Sequence, residues 1–242
     1  MTLPRTNPLP PNPWPTFALC SLSLFLVLLD TTVFSVTFTA MFFGFFFFMT
    51  RVWGYALPKA GLAVTPGPLM VIPVAIIAGR RAARIGHRPL LVMGGIIYAL
   101  GAAWIHAMAG PTANFLRDWL PGMLLGGTGV GLLIPSLTAA AVFGLPPQRF
   151  GVGSAVNQSI RQMGAVFGAA LVVVLVGNAV GPTAMDAFRV HFRALIAGGL
   201  ATALLSLPID TRPARPSASI TPPGDRHFTK LYAFDKRGLP DA

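Results

Sequence analysis

Residues 120–145 read LPGMLLGGTGVGLLIPSLTAAAVFGL, a run without one charged side chain. A helix needs about 20 apolar residues to cross the roughly 30 Å hydrocarbon core of a bilayer, and this run exceeds that length. The pattern recurs on both sides. Ala60–Gly79 and Pro89–Met108 precede it, and Gly153–Val180 and Ala187–Leu207 follow it, each of spanning length and nearly free of charge. A sixth apolar stretch, Phe17–Trp53, is longer still. The composition agrees: 54% of residues are hydrophobic and only 10% charged, with a mean hydropathy of +0.67. Soluble domains are about 25% charged. The sequence predicts an all-α polytopic membrane protein of about six transmembrane helices.

As a single helix, Phe17–Trp53 would be about 55 Å long. Its only candidate turn, Asp30-Thr31-Thr32, contains neither Gly nor Pro. The reading is one span from Asp30 to Trp53, with Phe17–Leu29 prolonging it towards the cytoplasm or lying along the interface. The expected organisation is a proline-rich cytoplasmic N-terminus (1–16), a helical bundle (17–208) and a cytoplasmic tail (209–242). Spans are placed near 30–53, 60–79, 89–108, 120–145, 153–180 and 187–207. The tail is rich in Pro, Ser and charge and is expected to be disordered or loosely surface-bound. Residues 1–15 do not resemble a cleavable signal, because the apolar stretch behind them outruns an h-region of about 7–15 residues.

The net charge of +11 reads as topology. Basic residues beside spanning helices favour the cytoplasmic side. With the loop holding Arg80, Arg81, Arg84 and Arg88 inside, alternation puts twelve basic residues inside and five outside, Arg161 staying within a helix. Both termini are then cytoplasmic, in a plasma (inner) membrane, and no nucleic-acid partner is implied. Cys20 is the only cysteine, so no intrachain disulfide or thiolate metal cluster is expected.

Polar groups inside an apolar span are costly and therefore informative. Asn157, Gln158, Arg161 and Gln162 cluster on the fifth span, Asn157 and Arg161 on one face and the two glutamines on the neighbouring stripe. Two readings stand: Arg161 anchors the helix, one or two turns from its cytoplasmic end, or the cluster lines a substrate or gating pathway. Asp30 is the one acid within a continuous apolar stretch. It is either a proton carrier or an interfacial residue marking a helix break. His106 and His191 read as interfacial, and Trp53, Tyr55, Trp104 and Trp119 as an outer aromatic belt. Prolines 66, 68 and 73 predict a kinked second span. Gly122, Gly126, Gly127 and Gly131, with Gly164 and Gly168 in the next span, form grooves for close helix approach, either for packing alone or for surfaces that slide.

The loop Gly79-Arg80-Arg81-Ala82-Ala83-Arg84-Ile85-Gly86-His87-Arg88 resembles the G-x-L-A-D-R-x-G-R cytoplasmic loop of the major facilitator superfamily. The stretches "RVWGYALPKAGLAVTPGPLM" and "WLPGMLLGGTGVGLLIPSLTAAAVFGLPPQRFGVGSAVNQSIRQMGAVFGAAL", with "AFRVHFRAL" opening the last span, look like the last six spans of 14-span drug:proton antiporters. "LLDTTVFSV" is similar to that family's first-helix motif, L-D-x-T-V-V-N-V. The family's loop Asp falls at Ala83 and its Leu at Arg81. The chain therefore reads as a first helix joined to a C-terminal half, forming one major-facilitator-type bundle.

The resemblance implies proton-coupled export of lipophilic or cationic small molecules by alternating access. Asn157, Arg161 and Gln162 would line the cavity, Asp30 would carry a proton, and Gly79, Arg80, Arg84, Gly86 and Arg88 would form the inner gating loop. One bundle has no opposing wall, so the implied partners beyond lipid, substrate and protons are a homodimer mate or a separate N-terminal half. The alternative is a truncated half-transporter without independent activity. No His-Glu-x-x-His pair, Gly-x-Ser-x-Gly elbow or Walker loop occurs, so the reading includes no catalysis, metal, cofactor or ATP.

Overall fold

The computed structural model describes residues 13–143, 145, 147–177, 179 and 182–209; the expectations for the first twelve residues and for the tail from Asp210 lie outside them. Among the described residues the long elements are all helices: α1 (Pro13–Arg51), α2 (Leu57–Val64), α3 (Pro66–Ile85), α4 (Arg88–Met108), α5 (Leu120–Val142), α6 (Phe150–Val176) and α7 (Pro182–Leu205). Six stretches are long and apolar enough to cross a membrane, with α2 and α3 together making one. The all-helical, six-span expectation is met.

α1 runs unbroken for 39 residues. Its spanning stretch begins at Ser21, well before Asp30. Residues 17–29 therefore prolong the helix rather than bending along an interface. Polar residues in its middle are tolerated because their hydroxyls bond back to carbonyls one turn earlier. Thr31 Oγ1 donates to Val27 O at 2.8 Å, Ser35 Oγ to Thr31 O at 2.7 Å and Thr37 Oγ1 to Val33 O at 2.7 Å. Such back-bonds satisfy hydroxyls where no water competes.

The kink expected in the second span takes the form of an interruption. Pro66 has no amide hydrogen to donate, so the helical ladder breaks between α2 and α3. Thr65 nevertheless keeps helical dihedrals (φ −61°, ψ −36°), so the two pieces continue as one span.

α5 packs against both α3 and α4, α7 against both α4 and α1, and α6 against α1. Glycines set these approaches. A Cβ on Gly129 would lie 2.7 Å from Gly94 O of α4, and one on Gly127 would lie 2.5 Å from Gly67 O of α3. α5 thus presents glycine to two neighbours on two faces. Gly164 of α6 meets α1 the same way, its Cβ position 2.7 Å from Ser35 Cβ; Gly168 abuts Val36 O.

One end of the bundle is filled by aromatic rings. Trp119, fully buried, stacks on Phe48 at 5.1 Å and meets Phe45 edge-on at 4.8 Å, with Phe188 and Phe192 completing the cluster. Trp53 joins it and donates its indole N–H to Gly110 O at 3.0 Å. Trp53 and Trp119 are thus buried among the bundle's own rings rather than turned outward as a belt. His191 is likewise not interfacial: it is fully buried with its ring against Gly44.

Candidate functional site

Two cavities share one wall on α1. The first, of about 140 Å³, lies between α1 and α6 and is lined by Ser35, Phe38, Gln158, Arg161 and Gln162, among others. The second, of about 190 Å³, lies between α1, α3 and α5 and is almost purely apolar, lined by Phe38, Met41, Phe45, Val71 and Met123, among others. Phe38 borders both and stacks on Phe34 at 5.8 Å. A half-open polar pocket and an apolar one therefore share a lining residue on α1. Among the described residues no carboxylate lines either.

α6 brings Gln158, Arg161 and Gln162 together because positions i, i+3 and i+4 share a helix face. Since α6 begins at Phe150, Arg161 lies about three turns, roughly 16 Å, inside it. That is further along the helix than a start at residue 153 implied. Arg161 makes no hydrogen bond or ion pair with another described residue. Asn157 departs from expectation. It is 3% exposed, does not line the cavity, and its Oδ1 accepts no hydrogen bond among the described residues. It is buried, away from the Gln158–Gln162 stripe that lines the cavity.

Asp30 is fully buried and breaks no helix. Its Oδ2 lies 2.6 Å from Ser206 Oγ, which also lies 2.8 Å from Thr202 O. Asp30 Oδ1 has no partner among the described residues. Phe34, Ser35, Phe38 and Thr39 escaped the sequence reading as cavity residues, although the spacing Ser35–Thr39 across an apolar helix marked the face. Ser206 carried no such signal.

The sequence profile described as "Major Facilitator Superfamily" matches residues 4–237. The chain belongs to this family. Among curated relatives, it is 27% identical to the cephamycin export protein CmcT of Amycolatopsis lactamdurans over 184 residues, covering 76% of this chain and 37% of that protein. It is 27% identical over 122 residues to the multidrug transporter protein MdtP of Bacillus subtilis, covering 50% of this chain and 22% of the relative. It is 28% identical over 123 residues to the multidrug export protein EmrB of Haemophilus influenzae, covering 51% and 24%. The chain thus matches well under half the length of each of these superfamily members.

The α3–α4 turn, which resembles the superfamily's cytoplasmic loop, is built around Gly86. Its φ of 79° is a conformation that side-chain-bearing residues rarely adopt, and its N–H caps α3 by donating to Ala82 O at 2.9 Å. Arg80, Arg84 and Arg88 are exposed around it, and Gly79 has open space at its Cβ position. His87 is half-buried beside Ser136 of α5, and burial lowers its pKa below the ordinary 6.5. The folded state therefore binds fewer protons at His87 than the unfolded state does. The stability this difference supplies is complete well above pH 6.5 and is lost as pH falls through that region and below. Thermal unfolding midpoints at pH 7.5 and pH 5 are expected to differ less in His87→Gln than in the parent; an equal difference in both would show that His87 contributes nothing.

Proposed function

We propose that this chain acts in proton-coupled export of lipophilic small molecules by alternating access, in a plasma (inner) membrane with both termini cytoplasmic. The observation that carries this reading is Arg161, set mid-helix against a cavity and flanked by Gln158 and Gln162. A charge at the centre of a spanning helix costs roughly 2.5–3.5 kcal/mol on insertion scales, so a position facing a chamber rather than lipid has a functional reason. Asp30 is the proton-carrying residue, and Gly79, Arg80, Arg84, Gly86 and Arg88 form the inner hinge. The names of the relatives, exporters of drugs or of cephamycin, support the same class of cargo.

Alternating access needs two bundles rocking about a site between them. Large exposed apolar side chains on α6, among them Val166, Phe167 and Val174, are available for an opposing wall from a second copy or a separate N-terminal half. Reconstituted into proteoliposomes, the chain is expected to expel a lipophilic dye when a pH gradient is imposed, and to cross-link as a dimer. Vesicles that hold the dye equally with and without the gradient, whether or not a partner half is supplied, would overturn the proposal.

A further inference from the structure

We propose that the α1–α6 chamber selects lipophilic organic acids, through a charge-assisted bond from Arg161 to the carboxylate; this deepens the transport reading above and rests on it. Among the described residues the chamber carries one formal charge, that of Arg161. Gln158 and Gln162 offer carboxamides, and the Ser35 hydroxyl is already committed to Thr31 O at 2.7 Å. None of the described lining residues is acidic. Asp30 sits less than two turns away along α1, yet its carboxyl is engaged by Ser206 of α7 and does not line the chamber. The field in the chamber is therefore positive, and an anion entering it gains the partner that Arg161 lacks.

The rest of the ligand is specified by the other side. Phe38 is the common wall of the polar chamber and the apolar cavity. A molecule whose carboxylate reaches Arg161 lays its apolar body over the Phe34 and Phe38 rings that line the same pocket. A guanidinium with no bonded partner is the strongest donor set available there, because its planar fork matches a carboxylate with two parallel bonds. A cation of the same shape meets repulsion, and a neutral ester forgoes the charge-assisted bond. Hydrogen bonds to charged groups contribute about 1.5–3 kcal/mol, which corresponds to roughly tenfold or more in affinity.

The test uses three probes with one aromatic body: 2-naphthaleneacetate, its methyl ester, and 2-naphthylmethylammonium. Each is titrated at pH 7.5 against the full chain in phosphatidylcholine nanodiscs, with empty discs subtracted and naphthalene fluorescence as the readout. The acid is expected to bind about tenfold tighter than the ester, and the ammonium most weakly. Arg161→Gln is expected to bring the acid-to-ester ratio to about one, and Arg161→Lys to restore part of the preference. Displacement of the acid by chloride at the same concentration would mark a simple inorganic anion site and overturn the proposal. So would an acid preference that persists in Arg161→Gln. Equal binding of acid and ester, lost in Phe38→Ala, overturns the acid selectivity but leaves the transport pathway standing. Absence of saturable binding by all three overturns both.

Discussion

Gly101→Val is expected to destabilise the bundle by about 3 kcal/mol or more and to lower the thermal unfolding midpoint in detergent by roughly 10 °C. A Cβ at Gly101 would lie 2.6 Å from Gly126 N and 2.7 Å from Gly122 O. Both are backbone atoms of α5, so no side chain can rotate aside and the two helices must separate. Separation also costs the contact of Gly129 with Gly94 O and Tyr98, because the same pair of helices carries it. Lipid tails are as apolar as the side chains, so helix association in a membrane relies on close packing rather than on the hydrophobic effect. Gly61→Ala provides the contrast. Nothing lies within 4 Å of its Cβ position, and removing helical glycine alone gains about 0.5–1 kcal/mol. Fluorescence-detected size exclusion after heating distinguishes the two. Equal midpoints for Gly101→Val and the parent would mean that α4 and α5 are not held at glycine distance.

The spans were legible because their cause is local: a run such as 120–145 has to find apolar surroundings whatever its neighbours are. The glycine faces on α5 and α6 were legible for the same reason, yet their partners were not. Gly94, Gly95 and Gly101 of α4 meet Gly129, Gly199 and Gly126, pairings that no spacing within one helix can announce. Arg161 with its flanking glutamines stood out through the expense of charge in lipid. The wall opposite, Phe34 and Phe38, looked like any phenylalanine in an aromatic-rich span until α1 and α6 were placed together. Trp119 and His191 misled because position along the chain sets depth, while burial depends on rotation about the helix axis. A start for α6 at Phe150 rather than near residue 153, modest in sequence terms, moved Arg161 further along its helix.

Asp30→Asn is expected to abolish transport driven by a pH gradient while leaving the fold intact. Asp30 belongs to α1 and Ser206 follows the end of α7, 176 residues away, so this hydrogen bond ties the first helix to the last. Ser206 has one hydroxyl hydrogen and two neighbours to receive it, Asp30 Oδ2 at 2.6 Å and Thr202 O at 2.8 Å. When Asp30 carries a proton, it donates to Ser206 Oγ and Ser206 turns its hydrogen to Thr202 O. When Asp30 is ionised, Ser206 turns its hydrogen to the carboxylate. Thr202 O keeps a bond either way, since Ser206 N donates to it at 3.0 Å. The two protonation states thus differ by the swing of one hydroxyl, at small cost to the helices. Asparagine preserves the shape and can donate its amide hydrogen to Ser206 Oγ, so its unfolding midpoint should stay near the parent's. It cannot release a proton, so dye efflux in the transporting assembly should no longer respond to the gradient. Ser206→Ala separates the structural part: it leaves a buried carboxyl without its partner, at a cost of about 1–3 kcal/mol, but keeps the titratable group. Full gradient-driven efflux by Asp30→Asn would remove Asp30 as the proton carrier, and a midpoint collapse in that variant would assign it to the scaffold instead.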